Sequence, residues 1–181
     1  MRTLVLGGTR SGKSAYAEGL FPPARAVTYV ATASHRPADA EWAGRIAAHQ
    51  RRRPATWRTL ECGDKPAMLP RLVREARDPL LVDDLGGWVT ALCDAAEWSR
   101  DGVAEPLAEL VEALCDCTAD VVFVSPEVGL SVVPDNRAAR IFADALGTTN
   151  RAVADACDGV VLVVVGQPLW IKGTPRSSLP S

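Results

Sequence analysis

The residues Gly7-Gly8-Thr9-Arg10-Ser11-Gly12-Lys13-Ser14 fit the spacing G-x-x-x-x-G-K-S/T at every fixed position. Glycines at these points let the backbone curl until its N–H groups converge, and converging N–H groups attract phosphate oxygens. A helix that starts here presents its positive end to the same anion. In such loops the lysine reaches the outer phosphates and the following hydroxyl ligates Mg²⁺. Gly7, Gly8, Thr9, Arg10, Ser11, Gly12, Lys13 and Ser14 are therefore read as the cradle of a nucleoside triphosphate, with Ser14 on the metal.

Such a loop needs an acid at the end of a nearby apolar strand to complete the magnesium shell. Leu80-Leu81-Val82-Asp83 supplies one. Asp84 follows at once, and side chains alternate along a strand, so the two carboxylates point opposite ways. Asp83, directly after the apolar run, is taken as the metal-side acid. Loop and acid together leave everything from kinases to ATPases open.

Arg45–Arg58 reads RIAAHQRRRPATWR, with Arg45, Arg51, Arg52, Arg53, Arg58, His49 and no acid. Guanidinium forks suit phosphate oxygens. A solvated basic helix end, with Arg51–Arg53 complementing the helix dipole, fits the same spacing. His49 lies three residues after Ile46 and seven after Trp42, on one side of a helix. It is either a packing residue or a nucleophile, because a neutral imidazole can attack phosphorus and carry a nucleotidyl group. Spacing alone does not separate these readings.

The elements that must position these groups alternate. Apolar runs at Thr3–Leu6, Ala26–Ala31, Leu80–Asp83, Asp120–Val124 and Gly159–Val165 read as strands buried on both faces. Helical stretches fall at Lys13–Leu20, Ala38–Arg53, Lys65–Arg77, Ala104–Cys117 and Asn136–Cys157. In Ala104–Cys117, Leu107, Leu110, Val111 and Leu114 form an apolar stripe, while Glu105, Glu109, Glu112 and Asp116 form a solvated face. Trp57–Glu61 is an extra strand or an extended connection, and Leu169–Lys172 is an edge strand after a turn at Pro168. The expected fold is an α/β domain with a mostly parallel, doubly wound sheet flanked by helices. It spans residues 1–172, and the polar 173–181 is expected to be a disordered tail.

Composition excludes several classes. The chain has 181 residues, one ordinary domain. Lys and Arg number 20 against 22 Asp and Glu, a net charge of −2, which argues against a general nucleic-acid binder or polybasic membrane protein. No apolar stretch is long enough to span a membrane, and the first residues run into a strand pattern without a signal peptide, so a cytoplasmic protein is expected. Cys62, Cys93, Cys115, Cys117 and Cys157 show no zinc-ligand spacing and are read as reduced thiols.

Over nearly its whole length the sequence resembles the bifunctional adenosylcobinamide kinase / adenosylcobinamide-phosphate guanylyltransferase family of cobalamin biosynthesis. The residues that carry the resemblance are LVLGGTRSGKS at Leu4–Ser14, YVATA at Tyr29–Ala33 and RIAAHQRRRPATWRTLE at Arg45–Glu61. LLVDDLGGWVTAL at Leu80–Leu92, EVGLSVVPDNRAAR at Glu127–Arg140 and VVGQPLWIKG at Val164–Gly173 add to it. The resemblance implies a recombinase-like sheet, ATP and GTP as substrates, Mg²⁺ as cofactor, and assembly into a homo-oligomer, a trimer by likeness. Adenosylcobinamide and adenosylcobinamide phosphate would be the partners, with no nucleic acid. It also implies that His49 accepts GMP covalently and that Thr32, Ala33 and Ser34 contact the nucleotide. Gln50, Arg51, Arg52, Arg53 and Glu61 would complete the guanine-nucleotide site, and Asp83 would serve the loop and its metal.

The chain departs from the family pattern at Asp84, where cysteine is common, and at Gly86-Gly87, in place of bulkier residues. Pro126 replaces an asparagine, and Thr148-Thr149-Asn150-Arg151 stands where Arg-x-Asn-Gln is usual. These departures are assigned to corrinoid or subunit contacts rather than to the triphosphate loop. A P-loop kinase of another small metabolite and a GTP-binding regulatory protein are the rival readings.

Overall fold

A computed structural model of the chain describes residues 1–33, 53–130 and 134–174. The five apolar runs become β1 (Arg2–Gly7), β2 (Thr28–Ala31), β4 (Leu80–Asp83), β5 (Val121–Pro126) and β6 (Gly159–Val164), and the two further candidate segments supply β3 (Arg58–Glu61) and β7 (Gln167–Lys172). The described helices are α1 (Lys13–Gly19), α2 (Met68–Arg74), α3 (Leu85–Ala95), α4 (Ala104–Asp116) and α5 (Arg137–Ala156). The stretch expected as a helix over Ala38–Arg53 lies, except for Arg53, outside the described residues, as does most of the 173–181 tail.

One sheet runs β3-β2-β4-β5-β1-β6-β7. Every pairing is parallel except β6 with β7. Strict alternation sends neighbouring residues to opposite faces. Leu4, Leu6, Val30, Leu80, Val82, Val121 and Phe123 pack with α2, α3, α4 and α5. Val5, Tyr29, Leu81, Val122, Val124, Val161 and Val163 meet Ala17 of α1 and Phe21 beyond it. Burial of both faces is why the strands read as continuous apolar runs.

In α4, Leu107, Leu110 and Leu114 of the expected stripe are buried with Ala113, Val111 is half-buried, and Glu105, Glu109, Glu112 and Asp116 are exposed. Two expectations change. Leu85–Ala95 is a helix that periodicity did not signal, because two glycines open it and Leu85, Trp88, Val89, Leu92 and Cys93 are all buried. Its less buried side, Gly87, Thr90 and Asp94, is too narrow to make amphipathicity visible. The second concerns the β6–β7 hairpin. Its turn is Val165-Gly166, both at positive φ, and Pro168 sits inside β7, where an edge strand tolerates the missing N–H.

Trp57–Glu61 resolves as the parallel edge strand β3 with Trp57 just before it, its ring edge-on to Phe21 at 6.0 Å. Cys62, Cys93 and Cys157 are buried, and burial pushes the Cys62 thiol up to about 11. All five cysteines are free, and no cluster of three metal-ligating side chains occurs among the described residues.

Candidate functional site

Parallel strands bring their C-terminal ends to one edge, where open α/β sheets bind ligands. Gly7, Ala31, Glu61, Asp83 and Pro126 end β1 to β5 along that edge. The loop leaving β1 turns through a Ser11 N–H to Gly8 carbonyl bond and enters α1 at Gly12, at φ 94°. Only glycine suits either end of it. A Cβ on Gly7 would lie 2.4 Å from Ser11 Oγ and 2.8 Å from the Val163 carbonyl oxygen, and one on Gly12 would lie 3.2 Å from Gly166 Cα. The β6–β7 turn braces the loop, since Gly166 N–H donates to the Ser11 carbonyl at 2.8 Å. That brace is a contribution the sequence reading missed. The N-cap residue, Gly12, has no side chain to cap α1, and Ser11 Oγ accepts from the Lys13 N–H at 3.4 Å instead.

Asp83 faces this loop from across β5. Ser14 Oγ donates to its Oδ1 at 3.4 Å, and Tyr29 Oη donates to its Oδ2 at 2.9 Å. Burial and the Asp83 charge hold the Tyr29 hydroxyl well above its ordinary range, so it stays a donor. A serine hydroxyl and a carboxylate are hard oxygen ligands, and Mg²⁺ is typically held by one or two carboxylates plus substrate phosphates. The pair Ser14 and Asp83 fits that requirement.

Arg53, the described end of the basic segment, stacks its guanidinium 3.3 Å from the Tyr29 ring centroid and donates to Thr59 Oγ1 at 3.3 Å. Thr32 is buried and its hydroxyl donates to the Asp84 carbonyl, while Ala33 lies against α3. Glu61 is exposed on the edge strand β3, three strands from β5 and four from β1. The structure thus brings the phosphate loop, Asp83 and Arg53 together through Tyr29, and leaves Glu61 at the sheet edge. Ser34, His49, Gln50, Arg51 and Arg52 lie outside the described residues. Tyr29, within the YVATA motif, joins the site although residue type alone did not mark it as functional. Its signal was its position on β2, two residues before the strand end and therefore on the face that carries Asp83.

Asp84 is not the inert end of a strand. Its side chain accepts from Gly87 N at 2.8 Å and caps α3. Burial, then the neighbouring Asp83 charge, push its carboxyl up to about 6, opposed by the Gly87 N–H and by Lys13. This departure thus sits within reach of the Lys13 charge of the phosphate loop. Gly86 and Pro126 also meet: a Cβ on Gly86 would come within 2.9 Å of Pro126 Cγ, and one on Gly87 within 2.9 Å of Thr32 Oγ1. Asn150 holds the same strand end, donating to the Pro126 carbonyl at 3.0 Å and accepting from Ser125 Oγ at 2.6 Å.

A folded-state carboxyl raised above its unfolded value favours the protonated form, so it costs stability as pH rises from about 4 to about 6. Asparagine keeps the capping oxygen without the charge. Asp84→Asn is therefore expected to match wild type near pH 4 and to be more stable above pH 7, by about 2–3 kcal/mol at most. Thermal unfolding at both pH values, without nucleotide or metal, checks this.

The sequence model of the family described as cobinamide kinase / cobinamide phosphate guanyltransferase matches residues 3–171. The bifunctional adenosylcobalamin biosynthesis protein CobP of Pseudomonas aeruginosa is 42% identical, covering 97% of this chain and 99% of its own. The bifunctional adenosylcobalamin biosynthesis protein CobU of Salmonella typhimurium is 38% identical over 95% of this chain and all of its own. Among solved structures, an ATPase of the type III secretion system of pathogenic bacteria superposes with a TM-score of 0.53 at 13% identity. The match spans 89% of this chain and 50% of that one, a likeness of fold alone. With its phosphate loop, an acid at the end of β4 facing it, and a match along nearly its full length, the chain belongs to the cobinamide kinase / cobinamide phosphate guanyltransferase family.

Proposed function

We propose that residues 1–172 act as one unit that phosphorylates adenosylcobinamide and then transfers GMP from GTP to adenosylcobinamide phosphate, giving adenosylcobinamide-GDP. The observation that carries the reading is the meeting of Ser14, next to Lys13 in the phosphate loop, with Asp83 at the strand ends, in a chain aligned over nearly its full length with bifunctional relatives.

In the first reaction the hydroxyl of the aminopropanol arm attacks the γ-phosphorus, and the nucleoside diphosphate leaves. Loop amides and Lys13 would hold the phosphates in line, so positioning and charge neutralisation supply most of the rate. In the second, a ring nitrogen of His49 attacks the α-phosphorus of GTP and pyrophosphate leaves. A phosphate oxygen of the corrinoid then attacks that phosphorus, the P–N bond breaks, and His49 is restored. Arg51, Arg52 and Arg53 would offset the charge that develops. Gly7–Ser14 with Thr32, Ala33 and Ser34 would bind the nucleotide, and Gln50 and Glu61 would complete its guanine site.

Mg²⁺ would bind through Ser14 and Asp83, where it neutralises phosphate charge. The reading also includes cytoplasmic work and a homo-oligomer, a trimer by family likeness. Val165, Leu169 and Ile171, exposed on the β6–β7 hairpin, offer apolar surface for subunit contact. No described helix is long and apolar enough to cross a membrane.

GTP labelled on the α- or the γ-phosphate tests the scheme. Acid-labile protein label is expected from the α-position only, and γ-label is expected on cobinamide. Transfer of γ-label without any α-adduct would leave a kinase alone, and neither signal would leave a nucleotide-binding regulator.

A further inference from the structure

We propose that Tyr29 is a positioning residue that ties the phosphate loop to the basic segment, its hydroxyl setting the Asp83 carboxylate and its ring seating Arg53. The inference rests on the nucleotide chemistry proposed above and adds a residue to which no role had been given.

Tyr29 lies on β2 opposite Leu81 of β4, and Ala31 lies opposite Asp83. Its side chain therefore shares the α1-facing side of the sheet with Asp83 and needs to reach only one residue pair along the strands. It is 4% exposed and packs in the cluster that includes Phe21, Val27 and Leu81. From that rigid seat the hydroxyl donates to Oδ2 of Asp83 at 2.9 Å. A carboxylate with one oxygen held this way cannot rotate freely, and its Oδ1 stays turned toward Ser14 Oγ. The metal-side acid is thus pre-oriented before any ligand arrives, and the reorganisation cost falls on the fold rather than on binding.

The other face of the same side chain does different work. The Arg53 guanidinium lies 3.3 Å from the ring centroid, well inside the range at which a cation is held by an aromatic face. Arg53 also donates to Thr59 Oγ1, so it is anchored at two points at the end of the basic segment. A cation on the ring draws electron density from the phenol and strengthens its O–H as a donor. Arg53 and Asp83, opposite charges on different elements, are thereby joined through one buried side chain. Loss of the hydroxyl alone should disturb Asp83 and spare Arg53; loss of the ring should disturb both.

Three variants separate these effects. Binding of a non-hydrolysable ATP analogue is titrated by calorimetry at limiting and at saturating Mg²⁺, and protein labelling from α-labelled GTP is measured in parallel. Tyr29→Phe is expected to weaken Mg²⁺-dependent analogue binding about tenfold, the loss of one charge-assisted hydrogen bond, with α-labelling at saturating GTP retained. In an Asp83→Asn background the same substitution should change binding less than twofold, because its partner is gone. Arg53→Met should lower α-labelling far more than it weakens Mg²⁺-dependent analogue binding. Tyr29→Leu should lower both, and if it does not fold, Tyr29→Phe and Arg53→Met still read the two arms separately. Equal losses from Tyr29→Phe with and without Asp83 would overturn the proposal, as would wild-type binding by Tyr29→Phe. A wild-type protein that binds no Mg²⁺-dependent nucleotide, or takes no α-label, would instead overturn the functional reading beneath it.

Discussion

Alanine at His49 is expected to lower guanylyl transfer by about 10⁴-fold or more, because the covalent route loses the atom that attacks phosphorus. Phosphate transfer to adenosylcobinamide should stay within about threefold of wild type, since that step needs only a hydroxyl, a γ-phosphate and the loop that holds it. The division of effects matters more than the size of the loss. A histidine that merely packs beside Ile46 and Trp42 would, when truncated, lower stability and depress both transfers together. Initial rates of the two reactions, taken on the same preparation with its unfolding temperature, distinguish these outcomes. Normal guanylyl transfer in the variant would remove His49 from the chemistry.

Lys13→Ala is expected to depress both reactions, by roughly 10³-fold in phosphate transfer. The lysine charge is aimed at the outer phosphates, and a single loop of this kind occurs in the chain. Pyrophosphate departure in the guanylyl step leaves negative charge on the same β- and γ-phosphates, so that step should fall as well. Lys13 opens α1, and alanine is a good helix former there, so the fold should survive the change. The check is a pair of rate measurements beside a nucleotide-binding titration. Loss of kinase activity with guanylyl transfer unchanged would mean that GTP is held elsewhere when His49 reacts.

The departures from the family pattern read differently once the fold is present. Asp84, Gly86 and Gly87 form one structure: the aspartate caps α3 through the Gly87 N–H, and the two glycines let that first turn approach Pro126 and Thr32. Pro126, another departure, lies where a Gly86 side chain would have to go. These residues are neighbours in space although forty positions separate Gly86 from Pro126. They line the strand ends next to the phosphate loop, so changes there act on how that edge is packed.

Much of this protein is legible in its sequence because the signals are local. The phosphate loop depends on residues within eight positions, each required by backbone conformation or by phosphate chemistry, so its type and place were readable directly. The same holds for strands buried on both faces, which advertise themselves as apolar runs, and for α4, whose stripe has the helical period. The family resemblance added roles that no periodicity contains. What only the tertiary structure decided is which distant residues share the edge. Asp83 rather than Asp84 turns to Ser14 because strand alternation and the order β2-β4-β5-β1 place it there, while the helix start claims Asp84. Tyr29 meets Asp83 and Arg53 because two parallel strands lie in register, and Gly166 reaches Ser11 because a hairpin folds back over β1's exit. α3 stayed hidden for the complementary reason: two glycines open it, and its less buried side, Gly87, Thr90 and Asp94, is too narrow to mark its period. Contacts set by sheet order and register join residues tens of positions apart, and no local pattern of residue types carries that information.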